Sequence, residues 1–548
     1  MEPHYATIWE SIADATPDTP ALLQGDVLRT WAEYDDHASR LAGTMQATGV
    51  GAGAKVAQYL YNCPEYCESF FAALKLRAVP VNVNYRYLDD ELLYLLDNAD
   101  AEVLLYHASL ADRVARVRER ATTLKLLIEV DDPDAAQAGP SPSTPRAASV
   151  DGAIRYADAL TAEPAPRITR DPDDITMIFT GGTTGMPKGV MIKIAAQIVG
   201  LYDTVPPLFG LANLTDPTGF AAAARQLADD GRQFVALPAC PLMHGTGLGI
   251  GVLPAMTFGG KIVFLANKGL DVDELWSLVE TAKVGSVTIV GDAFARPLLR
   301  GLEDGPARDL SSLQLIVSAG AMFSTEIKAA LLSHLPQVMI IDYIAATEGL
   351  MGLSISTKDN PAPTGRFLPA PGVTVLDEDG VPVQPGSGVP GMVAVPGTIP
   401  EGYYKDEPKT ATTFREIGGV RYSIPGDWAT IEADGTIALL GRGSQCINTG
   451  GEKVYPEEVE EAIKRHEAVD DCLVFGVPDE RFGQRVVGVA SLRRGTSATT
   501  DDVLAEVRER LSSYKLPRQL VVVDEVPRAP NGKADYPAAK LLFEASAV

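Results

Sequence analysis

The sequence predicts an α/β architecture: a large N-terminal unit of two αβ subdomains plus a small β-barrel unit, then a small α+β domain at the C-terminus. Three features carry this expectation. Apolar stretches at 56–60, 78–83, 103–106 and 125–130 alternate with helical patterns such as 67–76, the rhythm of βαβ units in a largely parallel sheet. The rhythm resumes at 176–180, 261–265, 286–290, 314–318 and 338–342, and each run ends near Gly, Ser, Thr or Asp, as strands do whose carboxyl ends face a ligand. Past Pro363 the texture turns to short strands punctuated by Gly and Pro (373–376, 391–395, 436–440), which predicts the antiparallel barrel-like unit.

The last segment has its own helices, 456–465 and 501–511, and strands, 472–477, 486–492 and 519–523. The expected division is therefore 1–440 and 441–548, which suits a chain of 548 residues. The segment 131–151 has almost no large apolar residue and reads as an exposed surface loop. There is no repeat of fixed period and no heptad run.

Composition narrows the function classes. Lys plus Arg total 47 against 72 Asp plus Glu, a formal charge of −25, so nucleic acid is not an expected partner. With 46% hydrophobic and 22% charged residues the chain has the make-up of an ordinary soluble enzyme. No secretory leader and no membrane-spanning stretch is visible, and five scattered cysteines (Cys63, Cys67, Cys240, Cys446, Cys472) fit a reducing compartment, so the expected location is the cytoplasm. Cys63 and Cys67 read as buried thiols rather than metal ligands.

The chemistry is densest at Thr180-Gly181-Gly182-Thr183-Thr184-Gly185-Met186-Pro187-Lys188-Gly189-Val190, directly after a strand-like run. Glycines let backbone N–H groups approach a polyphosphate, the threonine hydroxyls add neutral donors, and Lys188 adds a cation. It is not the common P-loop, because Gly189 stands where that motif needs Ser or Thr.

This loop, ending in Pro-Lys-Gly, resembles the signature of the adenylate-forming enzymes, which include acyl-CoA synthetases, firefly luciferase and the adenylation domains of peptide synthetases. Further matches follow in the family's order. Ser318-Ala319-Gly320-Ala321 resembles the small-residue turn beside the adenine, Thr347-Glu348 the pair at the phosphates and magnesium, and Tyr422 to Asp427 the segment whose Asp holds the ribose. Gly441-Arg442, Gly450-Gly451-Glu452-Lys453 and Pro527 to Lys533 complete the set. The resemblance spans about residues 20–540 and implies that a carboxylate attacks the α-phosphate of ATP, giving acyl-adenylate and pyrophosphate, after which coenzyme A takes the acyl group.

On that resemblance the catalytic set is Lys533, Glu348 and Thr184, with Lys533 bridging carboxylate and α-phosphate oxygens and Glu348 holding Mg²⁺. The implied ATP contacts are Thr180, Gly181, Gly182, Thr183, Thr184, Gly185, Lys188, Gly320, Ala321, Asp342, Tyr343, Thr347, Glu348, Asp427, Arg442 and Lys533. Gly450, Gly451, Glu452 and Lys453 are expected to lie over the acyl-adenylate once the mobile C-terminal domain rotates for thioester formation. Two departures stand out. Ile344-Ala345-Ala346 replaces the family's Tyr-Gly-x before Thr347, with Tyr343 one place early, and Ser444 stands at the hinge where the family has Asp or Lys. Gly443 still supplies backbone freedom there.

The acyl pocket is expected near 241–245, 291–296 and 349–352, lined by His244, Asp292, Phe294, Met322 and Leu350. Small and flexible apolar groups favour a hydrophobic acid, since an amino acid would want a buried carboxylate, and Asp292 beside Arg296 reads more readily as an ion pair. The run at 402–407 and the Gly-Asp-Ala-x-Ala-Arg-Pro run are similar to acyl-CoA synthetases of the bacterial fatty-acid group that includes those activating steroid side-chain acids. The expected partners are thus a small-molecule carboxylic acid, ATP and CoA, with neither nucleic acid nor an integral membrane; a homo-oligomer stays open. Transfer of the acyl group to a carrier protein, or nucleotide binding without catalysis, are the alternatives.

Overall fold

The computed structural model describes residues 1–132, 148, 150–182, 185–449, 452–479, 483–511, 513–529 and 532–546. Most of the loop expected at 131–151 lies outside the described residues.

Two twisted sheets dominate. The first has eight strands, with Lys55–Tyr59, Val79–Asn82, Ala101–His107 and Leu126–Val130 parallel at its centre, in agreement with the apolar runs. Lys55–Tyr59 lies between Val79–Asn82 and Ala101–His107, so the chain reverses its direction of progress across the sheet at this strand. The second has thirteen strands. Its parallel part runs Pro20–Gln24, Lys261–Phe264, Val235–Pro238, Ser286–Ile289, Leu315–Ala319 and Met339–Ala346, and the chain reverses at Val235–Pro238. Crevices open at such reversals, outside the carboxyl ends of the strands.

The antiparallel strands expected past Pro363 are present and stay hydrogen-bonded to the large sheet. Arg366–Pro369 pairs with Gly349–Ser356 on one side and with Ile437–Arg442 on the other, and Asp427–Ile431, Gly391–Ala394 and Thr374–Leu376 follow. A separate five-stranded sheet takes in Ile447–Thr449, Glu452–Val454, Val469–Asp479, Gly483–Leu492 and Gln519–Val522, packed by the helices Pro456–Lys464, Thr500–Arg508 and Tyr536–Ser546.

Side chains from the first subdomain tie the two large sheets together. Asn62, just past Lys55–Tyr59, accepts from Leu242 N at 2.8 Å and donates to the Cys240 carbonyl at 3.0 Å. Asn82 accepts from Phe179 N at 2.7 Å and donates to the Met243 carbonyl. The 240–243 stretch, which carries His244 behind it, is thereby held against the first sheet. Cys63, Cys67, Cys240 and Cys472 are buried and free, as buried thiols of small apolar character would be.

Under the N-terminal helix Tyr5–Ala15 lies a buried charge cluster. Glu10, Lys75 and Arg170 are each 4% exposed or less; Lys75 Nζ lies 2.9 Å from Glu10 Oε1, and Arg170 grips the same carboxylate with two bonds of 2.6 and 2.8 Å. Removing one member of such a set leaves buried charge uncompensated, which is strongly destabilising. Glu10→Ala strands the Arg170 guanidinium and leaves Lys75 with Asp35 as its carboxylate partner, and the expected result is a fall of about 5–10 °C in the first thermal unfolding midpoint, read by differential scanning calorimetry.

Candidate active site

The glycine- and threonine-rich loop is the end of an antiparallel hairpin. Ile175–Gly182 pairs with Gly185–Lys193, placing Thr180 opposite Lys188 and Gly182 opposite Gly185. Thr183 and Thr184 lie outside the described residues, and of Gly181, Gly182 and Gly185 only the strand backbone is described. Gly189 explains the tight pairing, because a Cβ there would come within 2.7 Å of Met177 Sδ and 2.8 Å of Phe179.

A short strand, Gly402–Tyr403, lies along the outer edge of this hairpin, with Tyr403 opposite Val190. It sets two further contacts. Tyr403 Oη donates to Glu348 Oε1 at 2.6 Å, and Asp406, whose carboxylate also accepts from Lys409 N at 3.0 Å at the start of the Glu407–Thr413 helix, is ion-paired with Lys188. The Lys188 ammonium holds the Asp406 carboxyl below its ordinary range. Lys188 and Glu348, predicted separately, are thus brought to one place by a segment that sequence reasoning used only as a family match.

The Met339–Ala346 strand sorts its side chains by alternation. Met339, Ile341 and Tyr343 face one way, in an apolar cluster with Leu315, Val317, Ile250 and Leu353. Ile340 and Ile344 face the other, into separate cores. Tyr343 therefore lies on the face of that cluster, with its strand position opposite Ala319, and Ile344 at the departing position is a core residue, 7% exposed. Asp342, expected among the ATP contacts, is 4% exposed and its side chain is paired with the fully buried Lys328 at 3.2 Å, on the face away from Tyr343. Burial lifts its carboxyl to about 6, Lys328 holding it from rising further.

Thr347 and Glu348 form the turn between Met339–Ala346 and Gly349–Ser356. Gly320, with φ +91°, ends the Leu315–Ala319 strand in a conformation that L side chains resist, and Ala321 follows it half-buried. Asp427, 8% exposed, lies directly opposite Arg442 on neighbouring strands, so these two expected ATP contacts share one rung of the sheet. The Arg442 side chain is outside the described atoms, as is that of Ser444; the hinge backbone Gly443–Gln445 is a short 3₁₀ turn.

Lys533 reaches this assembly from the C-terminal unit. A Cβ built on Gly320 would lie 3.6 Å from Lys533 Cε and 3.6 Å from Thr246 Oγ1. The loop is held by its own hydrogen bonds, Ala529 N to the Lys533 carbonyl and Gly532 N to the Ala529 carbonyl, both 2.8 Å. Gly532, φ +73°, meets the start of the Gly291–Asp304 helix, where a Cβ would lie 2.9 Å from Ala293 Cβ and 3.3 Å from Phe294. Burial, aided by the Lys533 charge, pushes His244 down to about 4, so its imidazole is neutral near pH 7. Gly450 and Gly451 lie outside the described residues; Glu452 and Lys453 form a strand opposite Thr449 and Asn448, their side chains outside the described atoms.

The residues expected at the acyl pocket divide. Phe294 and Pro241 line a cavity of about 720 Å³ between the two sheets, at the strand ends where both reverse; its other walls include Tyr61, Tyr85, Arg86, Arg113 and Lys268. Met322 is half-buried and its carbonyl accepts from Asp292 N at 2.8 Å, whereas Leu350 is 43% exposed at the rim. Asp292, placed in the expected acyl pocket but read beside Arg296 as an ion pair, makes that pair: one of its oxygens accepts from Ser324 N and Oγ at 2.9 and 3.1 Å and the other pairs with Arg296 at 3.1 Å, bracing the helix start.

A one-turn π-helix, Thr246–Ile250, was not legible beforehand. Alternating glycines at 245, 247, 249 and 251 were the available signal. Gly247 is forced, because a Cβ would meet the Pro241 carbonyl at 2.3 Å, but Gly245 and Gly249 face open space. Tyr403 and Asp406 were also missed, since a tyrosine and an aspartate in a surface-like run carry no signal of their own.

As to a divalent cation, among the described residues no cluster of three or more His, Cys, Asp or Glu has ligating geometry. One carboxylate, Glu348, beside the phosphate hairpin fits Mg²⁺, which takes one or two protein carboxylates and fills the rest of its shell with phosphate and water.

The chain matches the family model for AMP-binding enzyme over residues 9–404 and that for the AMP-binding enzyme C-terminal domain over 458–533. It is 41% identical to a 3-oxocholest-4-en-26-oate–CoA ligase of Rhodococcus rhodochrous, covering 98% of this chain and 96% of that one. It is 40% identical to a medium/long-chain-fatty-acid–CoA/3-oxocholest-4-en-26-oate–CoA ligase of Mycobacterium tuberculosis, again covering 98% and 96%. Among solved structures, a benzoate CoA ligase from Burkholderia xenovorans superposes with TM-score 0.80 at 20% identity over 99% of each chain, a likeness of fold.

The Tyr403 hydroxyl donates to a carboxylate, and a hydrogen bond to a charged group is worth about 1.5–3 kcal/mol. Tyr403→Phe is therefore expected to weaken ATP binding about tenfold in the presence of magnesium and far less in its absence, measured by titration calorimetry.

Proposed function

Because the chain belongs to the AMP-binding enzyme family, we propose that it joins a hydrophobic carboxylic acid, of the medium/long-chain fatty or steroid side-chain class, to coenzyme A through an acyl-adenylate. The observation that carries the reaction is the reach of Lys533 to Gly320 and Thr246, at the end of the Leu315–Ala319 strand. Two anions must meet in the first step, and a cation aimed at the charge that develops between them is commonly the largest catalytic term.

The roles follow from placement. The phosphate hairpin with Lys188 receives the triphosphate, Tyr343 and the Gly320 turn flank the base, and Asp427 opposite Arg442 takes the ribose hydroxyls. Glu348, oriented by Tyr403, holds Mg²⁺, which neutralises phosphate charge when bound. Lys533 neutralises the carboxylate and α-phosphate oxygens as the new bond forms and pyrophosphate departs.

The acyl chain is assigned to the apolar face made by Ile250, Val317, Ile341 and Leu353, beside the open side of Gly245 and Gly249. The absence of side chains at those two positions leaves width for a fused-ring acid. Steroid acid is also the substrate in the names of relatives about 40% identical over nearly the whole chain. We assign the nucleotide end of CoA to the 720 Å³ cavity, whose Arg86, Arg113 and Lys268 offer cations to phosphates and whose Tyr61 and Tyr85 offer rings to a base. Among the described residues no helix is long and apolar enough to cross a membrane.

A panel of acids from acetate through long-chain to cholestenoate-like, assayed for CoA thioester, is expected to give product with the larger apolar acids and none with acetate; no product from any acid would overturn the assignment. In the same panel Gly249→Phe should cut turnover of fused-ring acids at least tenfold while sparing medium-chain ones. Lys533→Ala should slow acid-dependent exchange of labelled pyrophosphate into ATP by about 10²–10³ while changing thioester formation from supplied acyl-adenylate little; equal losses in both would remove Lys533 from its role.

A further inference from the structure

The Gly291–Asp304 helix carries Asp292, Arg296 and Arg300 at four-residue spacing, one stripe along one face. Asp292 is already engaged by Ser324 and Arg296, so two guanidinium groups stand against one carboxylate and the stripe keeps a surplus positive charge. The balancing carboxylate comes from the C-terminal unit. Asp470 lies 3.5 Å from Arg300 Nη1 and 3.9 Å from Arg296 Nη1.

The next residue, Asp471, faces the other way. It takes Arg528 through two bonds, 2.5 and 2.7 Å, and Lys464 at 2.9 Å. Arg528 in turn donates to the Gly532 carbonyl at 3.1 Å, one residue before Lys533. Lys464 is buried and Asp471 and Arg528 are partly so, and the two cations together outweigh the desolvation that would otherwise raise the Asp471 carboxyl, holding it well below the ordinary carboxylate range.

We propose that Asp470 and Asp471 are a pair of positioning residues for acyl-adenylate formation: Asp471 shapes the loop that carries Lys533, and Asp470 pins the domain that carries the loop to Arg300 and Arg296. The inference rests on the two-step reaction assigned above. Geometry gives the pair its leverage. Gly532 touches the helix at Ala293 and Phe294 and Asp470 touches it at Arg300, two points about 10 Å apart along one axis at 1.5 Å per residue, so the domain resists swinging away from either end of that helix as one contact alone would not. Rotation at Gly443–Gln445 for the second step must break the Asp470 pairs. An ion pair of this exposure shifts a two-state balance up to about fivefold, enough to bias the domain and weak enough to release it in each turnover.

The test separates the two half-reactions in the full chain. Asp470→Arg places like charges together, and the expected result is at least a tenfold loss in acid-dependent pyrophosphate exchange with CoA-dependent consumption of supplied acyl-adenylate within twofold of the unaltered chain. Adding Arg300→Asp to that variant should restore exchange to within about threefold, a rescue that a merely structural role would not produce. Equal losses in both half-reactions, unchanged exchange, or no rescue would overturn the proposal. Independently of turnover, a chain with Arg300→Cys and Asp470→Cys should be cross-linked within itself by a short bismaleimide, faster with ATP and acid than with CoA; failure to cross-link likewise overturns it. If the unaltered chain exchanges no pyrophosphate with any acid, the reaction assignment fails instead, and the cross-link decides the contact by itself.

Discussion

The seating of the Gly532–Lys533 loop on the first turn of the Gly291–Asp304 helix is the contact on which the site depends. Its basis is the absence of side chains. Gly532 adopts a left-handed backbone and approaches Ala293 too closely for a Cβ, while Gly320, itself left-handed, ends the strand beside the lysine side chain. A flexible ammonium is thereby delivered to a fixed point, where the neutral His244 does not compete with it for an anion.

The remainder of the fold prepares that point. Two sheets reverse direction at neighbouring places, and Asn62 and Asn82 stitch the first sheet to the 240–243 loop of the second, so the two crevices merge into one cavity. The phosphate hairpin belongs to one sheet and the Thr347–Glu348 turn to the other. The Gly402–Tyr403 strand and Asp406 join them by one hydrogen bond and one ion pair, so residues from three distant segments share a single electrostatic environment. Preorganisation of this kind is what catalysis by charge stabilisation needs, because the donors are already in place when charge develops.

The departure at Ile344 becomes intelligible in the same terms. Strand alternation sends Ile344 into the core and Tyr343 toward the Gly320 side, so the aromatic ring is available from the preceding position. The same alternation turns Asp342 away, toward Lys328, where the low dielectric makes the pair a structural brace.

Much was legible in the sequence. Apolar runs located most of the parallel strands to within a residue or two, although Met339–Ala346 extends four residues past its expected end and Pro20–Gln24 and Val235–Pro238 were not among the runs, and the glycine and threonine pattern singled out the tip of the Ile175–Lys193 hairpin, because both signals are local: alternation, periodicity and backbone freedom belong to contiguous residues. Motif order also assembled Glu348, Asp427, Arg442 and Lys533 as one candidate set. What only the tertiary structure decided is which side chains face one another across long separations. Tyr403 and Asp406 gain their meaning from a strand pairing with the hairpin, Asp292 adds Ser324 to the ion pair with Arg296, and Asp470 becomes a partner of Arg300 through domain placement alone. Hydrogen bonds and ion pairs act over a few ångströms in space whatever the distance along the chain, so composition and spacing could name the charges but only the folded chain could pair them.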